Sequence, residues 1–494
     1  MFPKSLIFFC STFGFSGFAY SSDSAEESAP PNVLFIISDD LNTALSGYGH
    51  PQVNTPNLDK LAESGVSFTN AYCQFPLCGP SRASLFSGLY PEKTGILKNN
   101  VSLADEIVSL PQHFADHGYW SARVGKIYHM DIPHDVIMGT DGADHAPSWD
   151  EKHNIRSLET FHPGLVSNVT APPTVQLYPE LRDQWDQDTL NLKAVKQLRG
   201  QHSWVIVQST ERDEELADSL ATDKAISILK ERAEDKQPFF LAVGLVRPHF
   251  PFVAPKADFD DYPVEAMEIP EVLPGQLENV PPQALSRDLK IGQRERQEIL
   301  QAYYACITYM DRQVGRLVES VDQLGLRDNT IIVFVSDHGY LLGEHLSWKK
   351  KLLWEEATRV PLIISAPGME NPGKHSDHLV ELVDLYPTLT ALANLPEQSA
   401  VQGLNLEPLL SDPTDGTLER KDAFTQTATS YGLRQGKWAY MWYPKVRKNP
   451  EGFTLYDMEK DPNQRYNLAT NPEFDPIRSD LHVRLLERID LAKK

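Results

Sequence analysis

Val33-Leu-Phe-Ile-Ile37, followed at once by Ser38-Asp39-Asp40, is an unbroken apolar run closed by two adjacent carboxylates. A run of strand length with no polar alternation is expected of a central parallel strand buried on both faces. Adjacent carboxylates where a buried strand emerges repel one another unless a cation sits between them, and Ca²⁺ or Mg²⁺ is the natural occupant; an isolated Asp-Asp pair also suits a solvated turn. The pattern recurs in Thr330-Ile-Ile-Val-Phe-Val335, which runs into Ser336-Asp337-His338-Gly339. Ligands of open parallel sheets gather outside the carboxyl ends of strands, so two such ends predict one oxygen-rich cation site built from Asp39, Asp40, Asp337 and His338. Further strands are expected over residues 119–124, 238–246 and 360–365. Helices are expected over 217–233, 295–324 (ended by Gly325), 382–392 and 475–492, and from Pro56 with Thr55 as its N-cap. Strands alternating with helices in this way define an α/β chain with a mostly parallel sheet between helices.

A second stretch, Pro76-Leu-Cys78-Gly-Pro80-Ser81-Arg82-Ala-Ser-Leu-Phe-Ser-Gly88, has proline in a first helical turn and Ser-Gly at the end. Cys78 then sits at a helix N-terminus, where backbone N–H groups and the dipole favour an anion. Cys73 lies near enough in sequence to be a disulfide partner instead, and an arginine such as Arg82 in a first turn is ordinarily exposed. Gly125-Lys126-x-x-His129 places a fixed cation and a titrating imidazole at a strand end, where both can face one anion. In Arg247-Pro-His249-Phe-Pro-Phe252 the prolines are expected to stop the sheet and hold an exposed histidine at its edge. The three lysines that end Gly343-Glu-His345-Leu-Ser-Trp348-Lys-Lys-Lys351, taken alone, read as a solvated face.

Cys-x-Pro-Ser-Arg followed by Ala-Ser-Leu-Phe-Ser-Gly closely resembles the maturation signature of the type I sulfatases. The likeness extends in order over nearly the whole mature chain. His338, Arg-Pro-His-x-Pro-Phe and Gly-Glu-His-x-x-Trp-x-Lys are similar to the iduronate-2-sulfatase branch. The resemblance implies an alkaline-phosphatase-like core over 32–411 and a smaller C-terminal α+β subdomain with an antiparallel sheet over 412–494. It implies oxidation of Cys78 to formylglycine (3-oxoalanine) by a maturation enzyme, the hydrated aldehyde being the nucleophile. It implies a cation, Ca²⁺ first and Mg²⁺ second, held by Asp39, Asp40, Asp337 and His338 together with residue 78. His338 stands where many relatives have asparagine, and its softer imidazole leaves the ion's identity open between the two. Arg82 would hold the formylglycine, Lys126 neutralise charge, and His129 take the proton whose loss expels sulfate. His249 or Lys350 would assist the departing oxygen, with Lys349 and Lys351 as competitors for the lysine's place. The implied function is an exo-acting O-sulfatase of sulfated polysaccharides or their oligosaccharides. Uronate 2-O-sulfate is favoured, then another sulfated sugar such as an algal galactan. A phosphate or phosphonate monoester hydrolase of the same fold and a non-catalytic glycan-binding relative are the remaining readings.

The chain's 494 residues carry a net charge of −22, which argues against a nonspecific nucleic-acid binder. A sulfated substrate is itself an anion, so a local cationic pocket or a metal must outweigh that field at short range. Residues 1–19 read as a secretory signal peptide, with Lys4 in its n-region and Gly17-Phe18-Ala19 at its cleavage site, and 20–31 as a linker. Export is therefore expected, to a periplasmic or extracellular space or, in a eukaryote, a lysosome, with no stable membrane insertion. With Cys10 in the leader, Cys73, Cys78 and Cys306 remain, an odd number consistent with a thiol kept for chemistry. Asn100-Val-Ser102 and Asn168-Val-Thr170 are glycosylation sequons. Residues 130–215, irregular and rich in Asp, His, Pro and Trp, read as a substrate-shaping insertion.

Overall fold

The computed structural model describes residues 1, 29–161, 164–169, 204–210, 213–286 and 290–494. The expected leader and linker, apart from Met1 and residues 29–31, lie outside the described residues, as do the Thr170 end of the second sequon and much of the expected insertion. Eight strands form the central sheet: β1 (Asn32–Asp39), β2 (Val66–Tyr72), β3 (Trp120–Gly125), β4 (Glu151–His153), β5 (Phe239–Pro248), β6 (Thr330–Ser336), β7 (Arg359–Ser365) and β8 (Lys374–Glu381). Their order is β8-β2-β7-β6-β1-β5-β3-β4. All neighbours run parallel except β7, which is antiparallel to both β2 and β6. The expectation of a mostly parallel sheet holds, and the reversed direction of β7 is a feature that its apolar run alone does not reveal.

The central strands are apolar throughout because both faces are covered. Leu34 and Ile36 of β1 enter one core, and Val33, Phe35 and Ile37 enter the other. The first core is closed by α1 (Pro56–Glu63), α3 (Ala217–Ala233) and α4 (Gln293–Gln323), and the second by α2 (Cys78–Ser87) and α5 (Leu385–Leu392). Each such side chain removed from water contributes about 1.5–3 kcal/mol. Thr55 precedes α1 as expected, but its hydroxyl does not cap the helix. Asp311 of α4 does so from outside, accepting from the Asn57 and Leu58 amides at 3.1 and 2.8 Å. Gly325, with φ +68°, closes α4 in the left-handed conformation that glycine adopts without strain.

Beyond the main sheet, strands Asp422–Gln426, Tyr431–Gln435, Trp438–Tyr443 and Gly452–Asp457 form an antiparallel sheet against α6 (Asp475–Lys493). Two fully buried acids of the main body tie it down. Arg420 meets Asp384 at 3.0 Å and Glu381 at 2.9 Å, and Arg488 of α6 meets Glu381 at 2.7 Å. Among the described residues no helix is long and apolar enough to cross a membrane.

Candidate active site

The adjacent parallel strands β6, β1, β5 and β3 open their carboxyl ends onto one point. β6 delivers Asp337 and His338, β1 delivers Asp39 and Asp40, β5 delivers His249, and β3 leads into Lys126 and His129. Helix α2 closes the point from the side, with Cys78 its first residue and Arg82 one turn on. Two contacts fix α2 there: Ser81 donates to the main-chain carbonyl of Asp337, and Arg82 Nε donates to the Asp337 carboxylate at 2.7 Å. Strands β3 and β5 approach so closely that a Cβ on Gly244 would lie 2.0 Å from the Lys126 carbonyl oxygen. Only glycine fits there, and the closeness brings Lys126 into line with Asp39.

Asp40 is held at φ +64°, a left-handed conformation uncommon outside glycine. Tyr303 of α4 holds it: the phenol donates to the Asp40 carbonyl at 2.7 Å and accepts from the Asn42 amide at 2.9 Å. The turn sends the two neighbouring carboxylates to different partners. Asp39 receives Lys126 on one oxygen and lies 3.6 Å from Arg82 Nη2 through the other. Asp40 receives Lys350, whose ammonium is also 3.1 Å from Cys78 Sγ. His338 Nε2 lies 3.3 Å from Cys78 Sγ, 3.4 Å from Asp40 and 3.6 Å from Asp337. Its Nδ1 donates to the Gly339 carbonyl at 2.9 Å, which leaves Nε2 turned to the site. His249 repeats that arrangement, with Nδ1 donating to the Phe250 carbonyl and Nε2 3.7 Å from Asp40.

Burial sets the proton affinities, and the clustered charges then sort them. Burial pushes Asp39 up, but Lys126, His249, Arg82 and Lys350 hold it well below the ordinary carboxylate value. Burial with the charges of Asp39 and Cys78 pushes Asp40 up to about 7 in spite of Lys350. Burial and Asp39 also oppose ionisation of Cys78, yet Lys350, Lys126 and His338 outweigh them and the thiol lies below its usual value. His129 is pulled down to about 3, by burial first and Lys126 second, and its Nδ1 has no hydrogen-bond partner among the described residues. His249 falls well below an ordinary histidine through burial and Lys350.

The donor set fits a divalent cation. Asp39 Oδ1 and Asp40 Oδ2 are buried with no hydrogen-bond partner among the described residues, a costly state for carboxylate oxygens unless an ion takes them. Ligand atoms of Asp39, Cys78, Asp337 and His338 lie within 4.8 Å of one another, and those of Asp39, Asp40, Cys78 and His249 do likewise. Three carboxylates and an imidazole form an oxygen-rich set suited to Ca²⁺ or Mg²⁺.

Several expectations change. His249 is not exposed at a sheet edge but 6% accessible beside the central strand, stacked on Phe250 and 3.7 Å from Asp40. Arg82 is fully buried, its charge answered by Asp337 and Asp39. The lysine run is not a solvated face: Lys350 enters the site with 9% of its side chain exposed, Lys351 is exposed, and Lys349 lies between two aromatic rings. Cys73, Cys78 and Cys306 are all buried free thiols, so the Cys73–Cys78 disulfide does not form. Tyr303, which sets Asp40, is missed by sequence reasoning, because a tyrosine in a helical apolar stripe looks like any other core residue. Arg247 is likewise missed as a support for His249: it donates to the His249 carbonyl at 3.1 Å and pairs with buried Glu159.

The family described as Sulfatase matches residues 31–395, and that described as N-sulphoglucosamine sulphohydrolase, C-terminal, matches 343–490. A protein named Sulfatase from Formosa agariphila is 32% identical over 466 residues, covering 90% of this chain and 84% of its own. Iduronate 2-sulfatase of Mus musculus is 32% identical over 415 residues, covering 74% and 69%. Among solved structures, a phosphonate monoester hydrolase from Silicibacter pomeroyi superposes with a TM-score of 0.74 at 22% identity, covering 93% of this chain and 95% of its own, a likeness of fold.

Proposed function

The chain belongs to the sulfatase family and is a sulfuric ester hydrolase, and from that premise we propose that it removes O-sulfate from the end residue of a sulfated polysaccharide or oligosaccharide, uronate 2-O-sulfate first. The observation that carries the reading is the setting of Cys78. Its sulfur lies at the start of α2, 3.1 Å from Lys350 and 3.3 Å from His338, facing Asp39, Asp40 and Asp337. The uronate preference rests on His338, Arg-Pro-His-x-Pro-Phe and the Trp-x-Lys run, and is supported by the likeness to iduronate 2-sulfatase. Action at a chain end belongs to the same proposal: Cys78, Lys126 and His338 are buried, and an end residue needs a smaller opening to meet them than an internal one.

Converted to formylglycine by a maturation enzyme, residue 78 would supply a hydrated aldehyde as nucleophile. A divalent cation, calcium before magnesium, held by Asp39, Asp40, Asp337 and His338 with residue 78, would add positive charge beside the sulfate oxygens. The remaining work falls to this chain's own groups. Arg82 and Lys126 fix Asp39 and Asp337 and hold positive charge over the floor of the site, where an incoming sulfate raises the negative charge. His129, neutral and with no hydrogen-bond partner for Nδ1 among the described residues, accepts a proton there and returns it when the site is reset. Between the two candidates for the departing sugar oxygen the geometry favours Lys350. His249 Nδ1 is committed to a carbonyl and its Nε2 carries no proton to give, whereas Lys350 holds its charge against burial, with Asp40 foremost among the groups that favour it. An exported location, periplasmic or extracellular, belongs to the same reading.

The test is release of inorganic sulfate from 2-O-sulfated uronate disaccharides, algal galactan fragments and sulfated hexosamines, with Cys78→Ala alongside. Release from the uronates, abolished in the variant, is the expected result. Release from other sugars alone would overturn the uronate assignment. Faster cleavage of a phosphate or phosphonate ester than of any sulfate would overturn the sulfated-sugar reading.

A further inference from the structure

We propose that Lys349 is the subsite for the carboxylate of the sugar that carries the scissile sulfate, a specificity role beside the catalytic Lys350 and resting on the uronate reading above. In a regular strand neighbouring side chains point to opposite faces. Trp348–Lys349 pairs as a short antiparallel hairpin with Leu341–Leu342, but Lys349 and Lys351 both adopt left-handed backbone, at φ +72° and +75°. Such conformations persist in ordinary residues only where the surroundings impose them. Their effect here is to bring two successive ammonium groups over one ring: Lys349 Nζ is 4.9 Å and Lys350 Nζ 5.9 Å from the centre of Phe250. That ring also stacks on His249 at 4.3 Å, so Lys349 stands at the wall of the catalytic floor.

The two lysines differ in what answers their charge. Lys350 is paired with Asp40, whereas Lys349 makes no ion pair among the described residues of a chain whose net charge is −22. Its ammonium lies instead between Phe250 and Trp204, 4.9 Å from the centre of each ring, with Trp348 packed edge-on behind Trp204 at 5.7 Å. Aromatic faces hold a cation in place but do not neutralise it. Half-burial and the neighbouring Lys350 pull it down to about 8, so it is still largely charged at neutral pH. A partly buried, positioned cation with no ion-pair partner among the described residues, sharing the Phe250 ring with Lys350, is a built place for a second substrate anion. A uronate supplies one on the same ring as its sulfate. The half-buried Phe250 gives the sugar's apolar side an edge at the same point, while buried Trp204 backs the ammonium from behind.

The experiment compares kcat/KM on a 2-O-sulfated uronate disaccharide with that on its carboxyl methyl ester, in the wild type, Lys349→Met and Lys349→Arg. Methionine keeps the stem that packs between the rings, and arginine keeps the charge. The wild type is expected to favour the free acid roughly ten- to a hundredfold, through KM more than kcat, as a charge-assisted contact would. That preference should collapse in Lys349→Met and largely survive in Lys349→Arg. A preference that persists in Lys349→Met, or is absent from the wild type, overturns the assignment. So does a Lys349-dependent preference for a disulfated hexosamine over any uronate, which would make the second anion a sulfate. Should the wild type release no sulfate from either disaccharide, calorimetric binding of the unsulfated uronate disaccharide decides the matter separately. Roughly tenfold weaker binding to Lys349→Met would uphold the subsite while the hydrolytic reading fell; equal binding, or none to either protein, would overturn it.

Discussion

Tyr303 donates its phenolic proton to the main-chain carbonyl of Asp40 at 2.7 Å, and that bond holds the second carboxylate of the site in a backbone conformation it would otherwise avoid. Tyr303→Phe leaves the Asp40 carbonyl and the Asn42 amide unpaired in a buried place, at about 1–3 kcal/mol of stability. Turnover should fall tenfold or more, because a carboxylate displaced by an ångström no longer faces its partners. Thermal unfolding and sulfate release measure the two effects. Wild-type turnover in a folded Tyr303→Phe would show that Asp40 keeps its position without the phenol.

Chelation should abolish turnover. Asp39 Oδ1 and Asp40 Oδ2, which accept no hydrogen bond among the described residues, account for the expectation, since the acids that would bind the ion are already gathered. Sulfate release is expected to vanish on dialysis against a chelator and to return with Ca²⁺, while the melting temperature falls and recovers with it. Full activity after exhaustive metal removal would eliminate the cation from the mechanism.

His129 should remain neutral across the ordinary pH range. Burial and Lys126 hold it near 3, so between that value and 6.5 the unfolded chain binds a proton that the folded chain refuses. Stability carried by this residue is therefore present above about pH 6.5 and is lost on acidification, by about 1.4 kcal/mol per pH unit within the window. Carbon-13 NMR of labelled histidine, assigned with His129→Gln, should show no titration of this ring between pH 5 and 8. A midpoint near 6.5 would contradict the assignment of a neutral base.

Gly244→Ala places a methyl group where the Lys126 carbonyl already lies, and main chain cannot yield as a side chain would. We expect a loss of about 2–4 kcal/mol and of most activity, as Lys126 moves off Asp39. Gly416→Ala, whose added carbon meets nothing within 4 Å, should stay within about 0.5 kcal/mol of wild type in denaturant titration. Similar midpoints for the two variants would refute the packing argument.

Arg420→Ala strands Glu381 and Asp384, both buried, with part of their charge unanswered. Breaking a buried pair from one side costs about 3–5 kcal/mol, far more than the pair contributes when intact. Denaturant unfolding should report a shift of that size, with proteolysis beginning in the C-terminal sheet. Loss of less than about 1 kcal/mol would mean that Arg488 alone compensates Glu381.

Two kinds of information separate what could be read in the chain from what could not. Asp39, Asp40, Asp337 and His338 were legible because each terminates an apolar run, and a run that ends in acids marks where a buried strand reaches its edge. Their convergence followed from the geometry of parallel sheets. The direction of β7 was not legible, since an apolar run carries no sign of which way it points. Burial of Arg82 and His249 was hidden for a different reason: local sequence gives the usual environment of a residue, whereas Arg82 is enclosed by Asp39, Lys126 and Asp337 and His249 lies beside Asp40, none of them a near neighbour in sequence. Tyr303 and Lys349 depend on a partner's backbone or on a rare φ, neither of which leaves a mark in residue type.

Cys78 has no exposed surface, and α2, Lys350, His338 and Asp40 surround its sulfur. A catalyst that oxidises this thiol would have to reach the sulfur, which the finished fold encloses. Conversion, as proposed, therefore belongs to the interval before the sheet closes, a race between a catalyst and folding itself. A host that folds this chain faster than it oxidises residue 78 would accumulate well-formed, inactive protein, beyond rescue until it is unfolded again.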